Sequence, residues 1–165
     1  MTLKWCEVVE SGELKLHFAG KGDNALMLIG TYQHNIDAKG RVFIPVKLRG
    51  DLGERFIVSK GLDNCLFVHS LKEWEKIEQT ITALPIAQRR DVQRFWFSGA
   101  CEVELDAQGR IGIPQNLREY ASLAGATTII GASTRVEIWN AERWNEESES
   151  KSADEIAAIM EQLGM

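Results

Sequence analysis

The sequence predicts a mainly β domain with peripheral helices, an α+β chain built as two tandem copies of one small unit about a pseudo-twofold axis. Three observations carry this. First, residues 30–49 (GTYQHNIDAKGRVFIPVKLR) and residues 99–118 (GACEVELDAQGRIGIPQNLR) align at an offset of 69 with nine of twenty positions identical. The identities include Asp37/Asp106, Gly40/Gly109, Arg41/Arg110, Pro45/Pro114 and Arg49/Arg118. After one inserted residue the offset becomes 70, and Gly61 meets Gly131, Val68 meets Ile138 and Trp74 meets Trp144. Second, short apolar runs alternate with Asp, Asn and Gly turn signals, which is a strand pattern. Third, Ser70 and Ser152 each precede a Glu by three residues, the signature of a helix start. Two units are too few for a solenoid, and each half is too small to bury a core alone.

Each element follows from local chemistry. Thr31 to Ile36 reads as a strand. Asp37-Ala38-Lys39-Gly40 reads as a tight turn, because Asp bonds its own backbone two residues on and Gly accepts positive φ. Arg41 to Ile44 returns as a second strand, with Val42 and Ile44 on one face and Arg41 and Phe43 on the other. Pro45 ends the pairing and starts a short helix, Val46 to Leu52. Phe56 to Ser59 and Cys65 to His69 are further strands, joined around Gly61 to Asn64. The helix opened by Ser70 and Glu73 carries Trp74, Ile77 and Ile81 on one stripe. The second copy repeats the order: strands Ala100 to Leu105 and Arg110 to Ile113, helix Gln115 to Ala121, strands Thr127 to Ile130 and Val136 to Trp139, then a helix capped by Asn140. These boundaries divide the chain into a first repeat over residues 27–82, a helical connector over 83–98, a second repeat over 99–147 and an acidic helical tail over 148–165.

Composition excludes several classes. The 165 residues are 44% hydrophobic and 26% charged, ordinary for a globular chain. No apolar run reaches the ~20 residues of a membrane span, and the first ten residues lack a secretory pattern. The three cysteines, Cys6, Cys65 and Cys101, are odd in number and far apart, which fits a reducing compartment rather than a disulfide framework. Metal-ligand pairs of the CxxC or HxxxH kind are missing, so no metal or cofactor is expected. His34, His69 and Cys65 form no triad by spacing. Asp37 and Asp106 lack a neighbouring nucleophile or substrate signature. No catalytic residue and no small-molecule substrate are therefore expected. The tryptophans Trp74, Trp96, Trp139 and Trp144 read as packing residues.

The net charge of −5 conceals a local positive region. Residues 140–165 hold seven acids and two bases, which accounts for the whole excess, whereas residues 30–49 hold four bases and one acid. Local charge governs phosphate contact. The repeated Asp-x-x-Gly-Arg turn is therefore open to two readings. In one, Asp37 and Asp106 cap the turn, Gly40 and Gly109 supply the backbone angle, and Arg41 and Arg110 close salt bridges. In the other, the turns are hairpin tips narrow enough for a major groove, and Lys39, Arg41, Gln108 and Arg110 meet double-stranded DNA. The change from Lys39 to Gln108 predicts that the first turn dominates phosphate contact.

The segments HNIDAKGRVFIPVKLR, CLFVHS, EWEKIE, ELDAQGRIGIPQNLREYA and VEIWNAERW, taken in order, resemble the MraZ family of bacterial regulators, over about residues 27–147. The resemblance implies a tandem AbrB-like, swapped-hairpin fold, with a double-psi-like barrel as the related architecture. It implies a DNA-binding regulator at the promoter of the division and cell-wall gene cluster, a homo-oligomeric ring, and a cytoplasmic, nucleoid-associated location. The family's Asp-x-x-x-Arg motif falls on Asp37/Arg41 and Asp106/Arg110. A head-to-tail ring is expected to read direct repeats spaced by about one helical turn, ~10 bp. The resemblance starts near Met27, so residues 1–26 read as an extension, disordered or not natively translated. Two rival readings remain at this point: an oligomeric scaffold or antitoxin-like interaction module, and an enzyme on a double-psi-type barrel.

Overall fold

The computed structural model describes residues 27–164, so the extension expected over residues 1–26 lies outside the described residues. The first copy comprises β1 (Leu28–Asn35), β2 (Arg41–Phe43), α1 (Val46–Leu52), β3 (Arg55–Lys60), β4 (Leu66–Ser70) and α2 (Leu71–Thr82). Helix α3 (Ile86–Ser98) connects it to β5 (Cys101–Glu104), β6 (Arg110–Gly112), α4 (Gln115–Tyr120), β7 (Ala126–Ser133), β8 (Val136–Asn140) and α5 (Ala141–Glu149). Helix α6 (Ala153–Gln162) ends the described chain.

The two copies interleave. Six antiparallel strands form one sheet in the order β1-β7-β8-β4-β3-β5, and β2 pairs with β6 in a separate two-stranded ribbon. Exchanging each strand for its counterpart reverses the sheet order onto itself, so the pseudo-twofold axis runs between β4 and β8. It also runs through the ribbon, where Val42 lies opposite its own counterpart Ile111. The architecture is thus the predicted tandem pseudo-repeat of mixed α+β type.

One local expectation is altered. The Asp37 turn closes, with the Asp37 N–H donating to the Arg41 carbonyl and the Gly40 N–H to the Asp37 carbonyl, both at 2.9 Å. The strands leaving it do not pair with each other, however: β1 joins β7 and β2 joins β6. Burial explains the exchange. Pairing β2 with β6 places Val42, Ile44, Ile111 and Ile113 together, and all four are buried in the central core. That core also takes Phe56, Val58, Leu66 and Val68 from one copy and Leu117, Ile129, Val136 and Ile138 from the other. Full burial of each such side chain is worth ~1.5–3 kcal/mol. Neither copy can assemble this core from its own strands.

A second, smaller cluster lies elsewhere, where Cys65, Phe67 and Trp139 are buried against Trp96, Ile130 and Trp144. The tryptophans Trp74, Trp96, Trp139 and Trp144 therefore pack against one another and their neighbours. The helix starts behave as read, with one variation. Ser152 and Glu155 form the full reciprocal capping box of α6, and Asn140 accepts from the N–H groups of Glu142 and Arg143. At α2 only Ser70 caps, accepting from the Glu73 N–H, while the Glu73 carboxylate accepts from Lys76 Nζ at 2.6 Å instead.

Candidate nucleic-acid interface

The candidate interface consists of the two repeated turns. In the first, Asp37 Oδ1 accepts the backbone N–H groups of Lys39 and Arg41, both at 2.9 Å. Its Oδ2 accepts Arg41 Nε at 2.8 Å and pairs with Nη2 at 2.7 Å. The second turn copies this arrangement: Asp106 Oδ1 accepts from Gln108 and Arg110 at 2.9 Å each, and Oδ2 meets Arg110 Nε at 2.9 Å and Nη2 at 2.8 Å. Gly40 and Gly109 take φ of 74° and 75°, the left-handed region where a Cβ is penalised. The arginine guanidinium beside Asp37 and the turn N–H groups hold its carboxyl down at about 2. Asp106 is lowered for the same reasons.

The salt-bridge reading of Arg41 and Arg110 is therefore correct as geometry. Both guanidinium groups are clamped, with side-chain exposures of 33% and 26%. They are not withdrawn into the fold. Val42 and Ile111 fill the inner face of the ribbon, so strand alternation puts Arg41 and Arg110 on its outer face. Arg110 Nη1 also approaches Asp37 Oδ2 of the other copy at 4.0 Å, which links the two turns across the axis. Arg41 Nη1 makes no ion pair among the described residues. Lys39 and Gln108 are exposed at the turn tips.

Sequence reading missed two further arginines, although their identity across the repeat was visible. Arg49 Nε donates to the Ile44 carbonyl at 2.7 Å, and its guanidinium lies 4.5 Å over the Phe43 ring. It then reaches the opposite turn, where any Cβ on Gly109 would collide with it. Arg118 repeats the arrangement, donating to the Ile113 carbonyl at 3.0 Å and covering Gly40, where a Cβ would lie 2.7 Å from its Cζ and Nε. Each turn is thus composite: the loop comes from one copy and a flanking arginine from the other. With one such arginine at each turn, the charge difference between Lys39 and Gln108 is unchanged.

The remaining singled-out residues are placed as follows. Burial against Phe67, Trp74 and Trp96 pushes His69 down to about 4. His34 packs on Phe43, and the Cys65 thiol donates to the Leu62 carbonyl. No helix among the described residues is long and apolar enough to cross a membrane.

The chain matches the family model described as "MraZ protein, putative antitoxin-like" twice, over residues 27–95 and 96–163. It is 55% identical over 143 residues to the transcriptional regulator MraZ of Caldicellulosiruptor saccharolyticus, covering 84% of this chain and 100% of that protein. It is 50% identical over 143 residues to the same-named protein of Halothermothrix orenii and 54% identical to that of Acetivibrio thermocellus, with the same coverage of each chain. Two family matches in tandem, on a fold whose halves exchange strands, and relatives matched over their full length all agree: the chain belongs to the MraZ family of transcriptional regulators.

Proposed function

We propose that the chain regulates transcription by binding double-stranded DNA in a sequence-specific way through its paired turns, with Lys39, Arg41, Gln108 and Arg110 as the contacting residues. The observation that carries this reading is the pair of clamped arginines on the outer face of one short ribbon. Gly40 lies beside Ile113 and Gly109 beside Ile44, so the turns stand four residues apart along the ribbon, on the order of 14 Å. That span is comparable to the ~12 Å width of a major groove. Holding each guanidinium on an aspartate in advance reduces the ordering cost of contact. The target is the promoter of the division and cell-wall gene cluster. Copies assemble head to tail in a ring and engage short direct repeats, several tips at once. The protein then resides in the cytoplasm on the nucleoid.

The test is a footprint on the promoter upstream of the chain's own gene. Protection is expected over direct repeats spaced by about one helical turn, ~10 bp, and inserting half a turn between them abolishes binding. A second reading has its own support. The Asp37–Arg41 pair explains the motif without any DNA, and the family description carries the words "antitoxin-like". On that reading the chain is an oligomeric scaffold, and promoter affinity neither responds to salt nor depends on Arg41.

A further inference from the structure

Helix α6 and a groove beside α2 are both open in this chain, and each has what the other lacks. The helix has a complete capping box, yet every described residue from Lys151 onward is exposed. Its Ile156, Ile159, Met160 and Leu163 recur at spacings of three and four, which puts them on one face. That face is 42%, 46%, 42% and 70% exposed in order. The groove encloses about 460 Å³, with Phe67, Ile77, Ile81 and Trp96 among its apolar walls and Lys76, Arg135 and Glu73 among its polar lining. This volume falls within the ~300–1,000 Å³ of pockets that enclose ligands.

Charge supports the match. Residues 152–164 carry Asp154, Glu155 and Glu161 and no base, whereas α3, which brings Trp96 to the groove, carries Arg89, Arg90 and Arg94 against Asp91. Arg89 lies seven residues before Trp96, two turns along the same helix face. An acidic helix with an apolar stripe thus complements an apolar trough beside which α3 carries three arginines. The stripe and the trough are different surfaces of one chain, so a union that is not reciprocated within a pair is heterologous and propagates head to tail.

We propose that α6 of one copy docks in the α2–α3 groove of a second copy. The inference rests on the self-association part of the reading above and not on DNA contact. The experiment is light scattering on the full chain, without DNA, after size-exclusion chromatography. One variant blocks the tail, Ile159→Glu. Another reverses the groove rim at exposed positions, Lys76→Glu with Thr80→Glu. Far-UV circular dichroism checks that both fold. The wild-type chain is expected to assemble beyond a dimer, and each variant alone to run as a monomer. An equimolar mixture of the two is expected to form dimers and nothing larger, because the only intact pairing joins the free tail of one to the free groove of the other. A monomeric or dimeric wild type, a variant that keeps the wild-type mass, or a mixture that stays monomeric overturns the proposal. A wild-type chain that assembles but does not bind the promoter would count against the DNA reading and leave this one standing.

Discussion

The guanidinium of Arg49 occupies the space that a Cβ on Gly109 would need, although the two residues belong to different copies of the repeat. Gly109 is thus constrained twice, by its φ of 75° and by the arginine above it. Gly109→Ala is expected to lose about 1 kcal/mol from the backbone conformation. A further loss of about 1–2 kcal/mol comes from displacing Arg49 from the Ile44 carbonyl. Gly125→Ala is the control, since its φ is 79° but a Cβ there meets open space. Urea denaturation of both variants separates the two effects. Equal losses would show that the arginine contact has no energetic weight.

The DNA reading divides the site residues by role. Arg41→Ala is expected to abolish specific promoter binding. Lys39→Ala is expected to weaken binding to all sequences alike and to reduce the slope of log affinity against log salt by about 1. Gln108→Ala is expected to leave that slope unchanged, because it removes no charge. Fluorescence anisotropy across a salt series measures all three.

Two groups set separate acid limits. The pKa of His69 is lowered in the folded state to about 4. The unfolded chain therefore binds the proton more tightly, and stability present above about 6.5 is lost as pH falls toward 4. The loss is on the order of 3 kcal/mol. His69→Phe is expected to flatten this window in urea midpoints measured across pH. Asp37 is also lowered, to about 2. Its contribution survives to lower pH and fades between about 4 and 2. Asp37→Asn is expected to remove that second decline and leave the first.

Glu137 is buried and serves two partners, accepting from Arg135 Nε at 2.8 Å and from Trp139 Nε1 at 3.0 Å. Removing it orphans a buried indole N–H and frees a cation that stacks over Phe67 at 4.4 Å. Glu137→Ala is expected to cost about 2–4 kcal/mol in thermal or urea unfolding. Glu137→Gln keeps an acceptor for Trp139 and is expected to cost less.

The repeat, the turn chemistry and the helix starts were legible because each is local or self-similar. Asp37 and Gly40 act on residues two to four positions away, and a 69-residue offset is visible by alignment. Strand partnership was not legible. Nothing in Arg41 to Ile44 says that its ladder lies with residues 110–112 rather than with Thr31 to Ile36, because either choice satisfies the same alternation. The roles of Arg49 and Arg118 were hidden for the same reason. Their partners are glycines some 60 and 78 positions away, and glycine carries no side chain to pattern the contact.

Fusing both halves into one polypeptide has a consequence at the ribbon. A dimer of identical units with strict dyad symmetry must offer the same side chain at either end, and so cannot tell left from right along a duplex. Here an ammonium group stands at one end, on Lys39, and a neutral amide at the other, on Gln108. The covalent link leaves the two ends free to differ, and on the proposed DNA reading a duplex held between them would acquire a direction.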